Sequence, residues 1–451
     1  MRFFLFFLFI FFSYAQITNN SLRISYQNIH FNLEHLGLLE TSYFFHYKYF
    51  YTGISVYSAI YGKRGGFFVG GITGGLQYPL FKKYYLDSGV FIGGGGGGHA
   101  PQGSGFMSKF YTGVLFKDNK FSYGININNI QFKDSPINST QIGLILDYNF
   151  QDIFFFKKPI KNYGYYGIEK ITFSPFIINY FPINSKNTSN EKQKNFSILG
   201  AEISKKYKNY SFLISAGGAF AGNSDGYAEY LIGISKKIHP LIFKFLIGAA
   251  GGGKVKTNGG FIYKIQAQTN FKFINPSLGF MQAPNGIKAF YGGIYFHKSF
   301  NLITLGKKKL YFKPQKFNFK IYSESYLSPQ RKNNDNKRLD VLNLEFGIYK
   351  NKNIILFLNT AAAYNGKSGG YAVGMFGAEY KFKNIFTKIS IGAAGGGNLD
   401  VGGGLIAKSE VGFNYKNLFF SIGRIKAING KLNSTIFSLG INFDFYKGIV
   451  K

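Results

Sequence analysis

The sequence predicts an all-β chain: a transmembrane antiparallel β-barrel of about 24 strands, built from three related eight-strand units. Three observations carry that expectation. Apolar residues alternate with polar or small ones over many runs, the period of a strand with two different faces. The runs approach the roughly 9–11 residues of a tilted membrane strand, where soluble strands average about five or six. A glycine-rich stretch also occurs three times: IGGGGGGHAPQGSG at 92–105, IGAAGGGKVKTNGG at 247–260 and IGAAGGGNLDVGGG at 391–404.

The chain opens with MRFFLFFLFIFFSYAQ. Arg2, the apolar run Phe3–Phe12 and the small residues at Ser13 and Ala15 have the order of a secretory signal. The run is too short for a membrane-spanning helix, so 1–15 is expected to be a cleaved signal peptide. Cysteine is absent, which excludes thiolate metal sites and cysteine nucleophiles. The net charge is +33, yet no nucleic-acid recognition motif is present. Anionic lipid headgroups are the expected partner of an exported cationic surface.

Unit one spans 16–150, with eight strands between 21 and 150. Its last strand is the clearest: Ile142, Leu144, Leu146, Tyr148 and Phe150 oppose Gln141, Gly143, Asp147 and Asn149. Unit two spans 170–297, with strands near 170–181, 195–206, 209–220, 226–237, 241–252, 259–272, 275–283 and 286–297. Unit three spans 316–446, with strands near 316–326, 338–350, 353–364, 369–383, 385–397, 402–415, 417–427 and 433–446. In the last of these, Phe437, Leu439, Ile441, Phe443 and Phe445 share a face opposite Ser434, Ser438, Asn442 and Asp444. Segments 151–169 and 298–315 are read as connections, and 447–451 as a tail.

The repeat extends beyond the glycines. SGGYAVG at 368–374 resembles SDGYAEY at 224–230, and Gly248 and Gly392 stand 144 residues apart. A period this long implies a duplicated unit and not a solenoid. Loop lengths alternate: PINSKNTSNEKQKN (182–195) and SPQRKNNDNKR (328–338) are long and polar, while 205–210 and 350–353 are tight. Long loops therefore fall on one side and short turns on the other.

With this patterning and loop asymmetry the chain resembles a Gram-negative outer-membrane β-barrel protein, and its signal and Lys/Asn/Phe-rich composition are similar to those of Bacteroidota. The resemblance implies a bacterial outer-membrane location, contact with its lipids including lipopolysaccharide, and delivery by the barrel assembly machinery. One feature departs from that family: Phe445 and Tyr446 are followed by Lys447–Lys451 instead of closing the chain. One large barrel is the favoured closure, because membrane chains of this size usually close once; three separate eight-stranded barrels are the alternative.

Motifs for chemistry are few. Gly248 to Lys254 fits GxxxxGK, but Val255 replaces the Ser or Thr of a P-loop and a strand follows instead of a helix. His297-Lys298-Ser299 resembles the His-x-Ser pair of lipid A deacylases, which would make His297 a base and Ser299 a nucleophile. The short-turn end is the wrong side for that reaction. His30, Glu34 and His35 are the one weak metal constellation; no metal or other cofactor is expected.

Inward-facing charge is more informative. Glu202, Lys206, Glu345, Lys388, Lys408 and Glu410 fall on polar faces and are expected to face the lumen, because lysine at a lipid-facing midplane costs ~2–4 kcal/mol. In a 24-strand barrel they would line a pore or meet a plug; in eight-strand barrels they would fill the interior as ion pairs. The leading functional expectation is passage or binding of small polar or anionic solutes. The alternatives are a structural or surface-interaction barrel, and a lipid-modifying enzyme. In each unit the glycine-rich tip, marked by Gly93 and Gly98, Gly248 and Gly253, and Gly392 and Gly397, is expected to be a tight hairpin end on the outer side.

Overall fold

A computed structural model describes residues 16–159 and 163–450. The expected signal peptide lies outside the described residues. Among the described residues there are strands and turns but no helix.

The first barrel comprises β1 (Gln16–Phe31), β2 (Glu34–Tyr47), β3 (Phe50–Gly62), β4 (Phe68–Phe81), β5 (Tyr84–Gly96), β6 (Phe106–Asp118), β7 (Phe121–Phe132) and β8 (Asn138–Phe154). The second comprises β9 (Tyr163–Pro182), β10 (Phe196–Tyr207), β11 (Tyr210–Gly222), β12 (Ala228–Ile238), β13 (Leu241–Gly251), β14 (Phe261–Thr269), β15 (Ile274–Gln282) and β16 (Lys288–Phe296). Two joining strands follow, β17 (Lys298–Leu305) and β18 (Lys308–Tyr311). The third comprises β19 (Lys313–Tyr326), β20 (Leu339–Tyr349), β21 (Ile354–Asn365), β22 (Ala372–Phe382), β23 (Ile385–Gly395), β24 (Leu405–Tyr415), β25 (Leu418–Ala427) and β26 (Asn433–Val450).

Every pairing is antiparallel, and each unit closes on itself. β1 meets β8 from Gln16↔Phe154 to Gln27↔Gly143. β9 meets β16 from Ala289↔Pro182 to Tyr295↔Phe176. β19 meets β26 from Lys313↔Ile449 to Tyr326↔Ile436. The expectation of a single 24-strand barrel is thereby corrected to its alternative, three eight-stranded barrels. The physical reason lies in the first and last strands of each unit. They are long enough to pair with one another, and closing at eight already removes the free edge that a larger barrel would have to remove.

The connections are also corrected. The segment read as a linker after unit two forms β17 and β18, which pair with the N-terminal half of β9, from Lys298↔Phe173 to Tyr311↔Tyr163. β17 also touches the end of β26 through Asn301↔Val450 and Leu302↔Ile449. The second and third barrels thus share one continuous sheet near their short-turn end. Residues 447–450, read as a tail, extend β26 as paired strand. The first barrel is tied to the third by a bridge between Phe155 and Tyr446, whose amides and carbonyls exchange hydrogen bonds of 2.9 and 2.7 Å. Ile153, Phe155, Ile303 and Phe312 bury together around this junction.

Burial is inverted relative to a soluble sheet. In β7, Ile125 and Ile127 are 56% and 60% exposed, while Asn126 and Asn128 are 3% and 1% exposed. Water would penalise so large an apolar surface, whereas hydrocarbon accepts it, and closed barrels satisfy every backbone group there. The fold is a transmembrane β-barrel fold, present three times in one chain.

Candidate functional site

Two regions contain the residues singled out from the sequence: the barrel interiors and the glycine-rich tips.

The interiors are filled. In the third barrel Lys388 Nζ lies 2.8 Å from Glu345 and Lys408 Nζ 2.9 Å from Glu324 and 3.2 Å from Glu410. Lys320 bridges Glu345, at 3.2 Å, and Glu379. In the second barrel Lys244 lies 2.7 Å from Glu202, and Lys264 2.9 Å from Glu229. In the first, Arg23 grips Asp147 through two hydrogen bonds of 2.7 and 2.9 Å and lies 2.9 Å from Asp87, while Lys109 lies 2.9 Å from Glu40. All these side chains are buried. A buried charge is tolerated only when paired and hydrogen-bonded, and here both sexes of charge are supplied by facing strands. Above each belt of charge, toward the long loops, aromatic side chains close the lumen: Tyr57, Phe67 and Phe91 in the first barrel; Tyr180, Phe196 and Tyr227 in the second; Tyr326 and Tyr371 in the third.

Five of the six expected lumen residues therefore sit inside a barrel: Glu202 in the second, and Glu345, Lys388, Lys408 and Glu410 in the third. Lys206 shares the parity of Glu202 but lies at the end of β10, exposed beside the turn. Arg23, Asp87, Asp147, Lys109, Lys264, Lys320 and Glu379 were not singled out from the sequence, although alternation carried the signal, since each faces the same side of its strand as the polar residues around it.

The three tips have one hydrogen-bond pattern. The amides of Ala100, Val255 and Leu399 donate to the carbonyls of Gly97, Gly252 and Gly396 at 2.9, 2.9 and 3.2 Å. Those of Gly105, Gly260 and Gly404 donate to Gln102, Thr257 and Val401 at 3.0, 3.0 and 3.1 Å. Gly98, Gly253 and Gly397 occupy the left-handed region at φ +56°, +54° and +56°. There a Cβ would also strike the carbonyl of Arg64, Ser224 or Ser368, in the turn after the third strand of the same unit, at 2.4, 2.2 and 2.5 Å. Only glycine meets both demands. Gly93, Gly248 and Gly392 lie lower, packed against the backbone of the preceding strand at Gly70, Tyr230 and Gly374.

The tips do not project as free hairpins. Each receives a loop from the neighbouring barrel. A Cβ on Gly105 would lie 2.5 Å from the carbonyl oxygen of Ala363; on Gly260, 2.3 Å from that of Ala59; on Gly404, 2.3 Å from that of Ala219. Ala59, Ala219 and Ala363 are equivalent residues of the three units, each donating its amide across the turn that follows it to the carbonyl of Phe67, Tyr227 or Tyr371 at 3.0, 2.9 and 3.0 Å. The first barrel thus docks onto the tip of the second, the second onto the third, and the third onto the first. One direct hydrogen bond, from the Gly65 amide to the Asn258 carbonyl at 2.7 Å, crosses the first of these contacts. A head-to-tail contact that repeats three times and returns to its start is a closed cyclic assembly, here within a single chain. The long loop of the third barrel reinforces it: Lys332 lies 2.8 Å from Asp225 of the second.

The remaining candidates separate. His297 Nε2 lies 2.8 Å from Gln268 Nε2, and Ser299 Oγ lies 2.8 Å from Thr172 Oγ1, so the two side chains face different partners. His30 and His35 stack edge to face at 4.4 Å, while Glu34 is taken by Arg64 at 2.8 Å. Among the described residues no group of three metal-ligating side chains converges. The glycines of the GxxxxGK stretch end a hairpin, and Phe261–Thr269 after them is strand.

No protein-family model and no curated protein matches the chain. Solved structures similar to it include a porin. A variant of the Rhodopseudomonas blastica porin is 8% identical over 75% of this chain and 91% of its own, with a TM-score of 0.21. OccAB3 of Acinetobacter baumannii is 12% identical over 95% of this chain and 99% of its own, with a TM-score of 0.22. Likeness at this level stops at antiparallel barrel strands and says nothing about solutes.

Proposed function

We propose that this chain is a non-conducting structural protein of the bacterial outer membrane, three small barrels held as one body with their long loops on the cell-surface side. The observation that carries this reading is the filled interior of each barrel. Solute passage needs a continuous watery path, and the belts of paired Arg, Lys, Asp and Glu under aromatic caps supply none. Side chains fill eight-strand barrels; the wide lumen on which the passage reading depended belongs to a larger closure. The lipid-facing bands support the membrane placement. The outer membrane is favoured because single-chain barrels of this kind, with long loops on one side and short turns on the other, are built there.

Purified protein in planar bilayers tests the reading. The expected outcome is no stepwise conductance at any holding voltage. Discrete, reproducible steps that persist in a sample free of other porins would restore solute passage as the function.

A further inference from the structure

Between the three barrels, outside all three lumens, lies a cavity of about 2530 Å³. Small-molecule pockets are typically ~300–1,000 Å³, so this space fits something larger. Its walls are the outward faces of the barrels: Leu22 and Ile24 of the first, Ile234 and Phe245 of the second, Phe319 and Phe346 of the third. At its upper end the Thr41 hydroxyl donates to Tyr230 Oη at 2.9 Å, joining the first and second barrels, and the glycine-mediated ring lies beyond. At its lower end it reaches the short turns.

We propose that this cavity holds the acyl chains of an anionic glycerophospholipid, with the headgroup at the short-turn rim. Two independent features support it. Apolar walls make water a poor occupant of so large a volume, and only hydrocarbon recovers the contacts that a void forfeits. The rim, in contrast, is cationic. Its carboxylates are already claimed: Glu169 by Lys205 at 2.8 Å, Asp444 by Lys316 at 2.7 Å and Asp152 by Lys447. Lys48, Lys120, Lys298 and Lys350 remain exposed at the rim without a carboxylate partner among the described residues. Lys48 and Lys120 come from the first barrel, Lys298 from the joining strand β17 and Lys350 from the third barrel, and a phosphate between them would meet positive charge from several sides. The short turns face the periplasm in the membrane placement proposed above, which puts the site in the leaflet that faces inward. We place the entry of the chains at the seam of the first and second barrels, where among the described residues no strands pair, whereas the second and third barrels share strand pairing and the first meets the third through the Phe155–Tyr446 bridge.

The test is native mass spectrometry of the full chain in mild detergent, titrated with dioleoyl phosphatidylglycerol or dioleoyl phosphatidylcholine. Folding of each variant is checked by circular dichroism. The wild type is expected to retain phosphatidylglycerol after detergent activation and to prefer it over phosphatidylcholine by at least tenfold. Each lysine near an anionic headgroup contributes roughly a fivefold factor (about 1 kcal/mol), so K48Q/K120Q/K298Q/K350Q should abolish the preference while retaining lipid. I24W/I234W, which fills the cavity from two walls, should lower occupancy by both lipids. Absence of lipid adducts in the wild type, a preference unchanged by the lysine variant, or occupancy unchanged by the tryptophans would overturn the proposal. Retention of lipopolysaccharide to the exclusion of glycerophospholipid would overturn it too. The cavity lies outside the lumens, so this result is independent of the conductance measurement.

Discussion

The three units agree at the glycine-rich end and disagree inside their barrels. At the tips, the same amides donate to the same carbonyls in every copy, and the same alanine carbonyl meets the same glycine of the next barrel. In the interiors one structural slot is filled three ways. By strand register, Arg23 opposite Ser42 in the first barrel corresponds to Ser174 opposite Glu202 in the second and Lys320 opposite Glu345 in the third. Arg23 is balanced by Asp87 and Asp147, Lys320 by Glu345 and Glu379, and Glu202 by Lys244 from a different strand. The difference separates two kinds of constraint. A filled interior needs neutral total charge and satisfied polar atoms, which many residue sets provide. Backbone-on-backbone docking has one solution, because any Cβ would occupy the space of the neighbouring carbonyl.

That contrast can be broken at the ring first. Gly105, Gly260 and Gly404 have φ of +89°, +97° and +100°. The triple substitution G105V/G260V/G404V puts a β-branched residue into each, at roughly 1–3 kcal/mol apiece for the backbone alone, with the carbonyl clash in addition. The three barrels are expected to stay closed while their mutual docking is lost. Limited proteolysis in liposomes would then cut between barrels at sites protected in the wild type, and thermal unfolding would lose a single cooperative transition. Unchanged protection would mean that the ring does not hold the barrels together.

The interior should respond according to pairing and not to position. Lys109→Met strands Glu40, which has no other salt-bridge partner among the described residues of the first barrel, and is expected to cost about 3–5 kcal/mol in urea unfolding from lipid vesicles. Lys244→Met/Glu202→Met removes both members of a pair in the second barrel and is expected to fall within about 1 kcal/mol of the wild type, as replacement of whole buried pairs often does. Equal losses from the two variants would show that the charges have a role beyond balancing one another.

Much of this fold was legible in the sequence. Strand positions followed from alternation, and the triplication from the repeated glycine stretches. The inward side of Glu202 or Lys408 followed from parity, because a lipid-facing lysine is expensive. Partners were not legible: Lys408 finds Glu324 84 residues away, across the barrel. Closure was not legible either. It depends on whether β16 returns to β9, a pairing that alternation does not encode. The apolar connection after unit two was informative in retrospect, since Phe300, Leu302 and Ile303 are too hydrophobic for a free linker and instead pack as strand at the junction of the barrels. The glycine tips announced positive φ and close approach, but what approaches them comes from another unit, which a one-dimensional repeat cannot reveal.

The central claim is closure at eight strands in each unit, and cysteine pairs test it most directly, since the chain has no cysteine of its own. Asn179 lies opposite Gly292 across the β9–β16 seam, and Ser323 opposite Leu439 across β19–β26. Phe212 opposite Ile234, within the β11–β12 hairpin, serves as a control common to either closure. Oxidation of the N179C/G292C and S323C/L439C variants in liposomes should form intramolecular disulfides as readily as F212C/I234C. Formation of the control disulfide alone, with both seam pairs remaining reduced, would contradict three separate barrels and return the chain to a single large one.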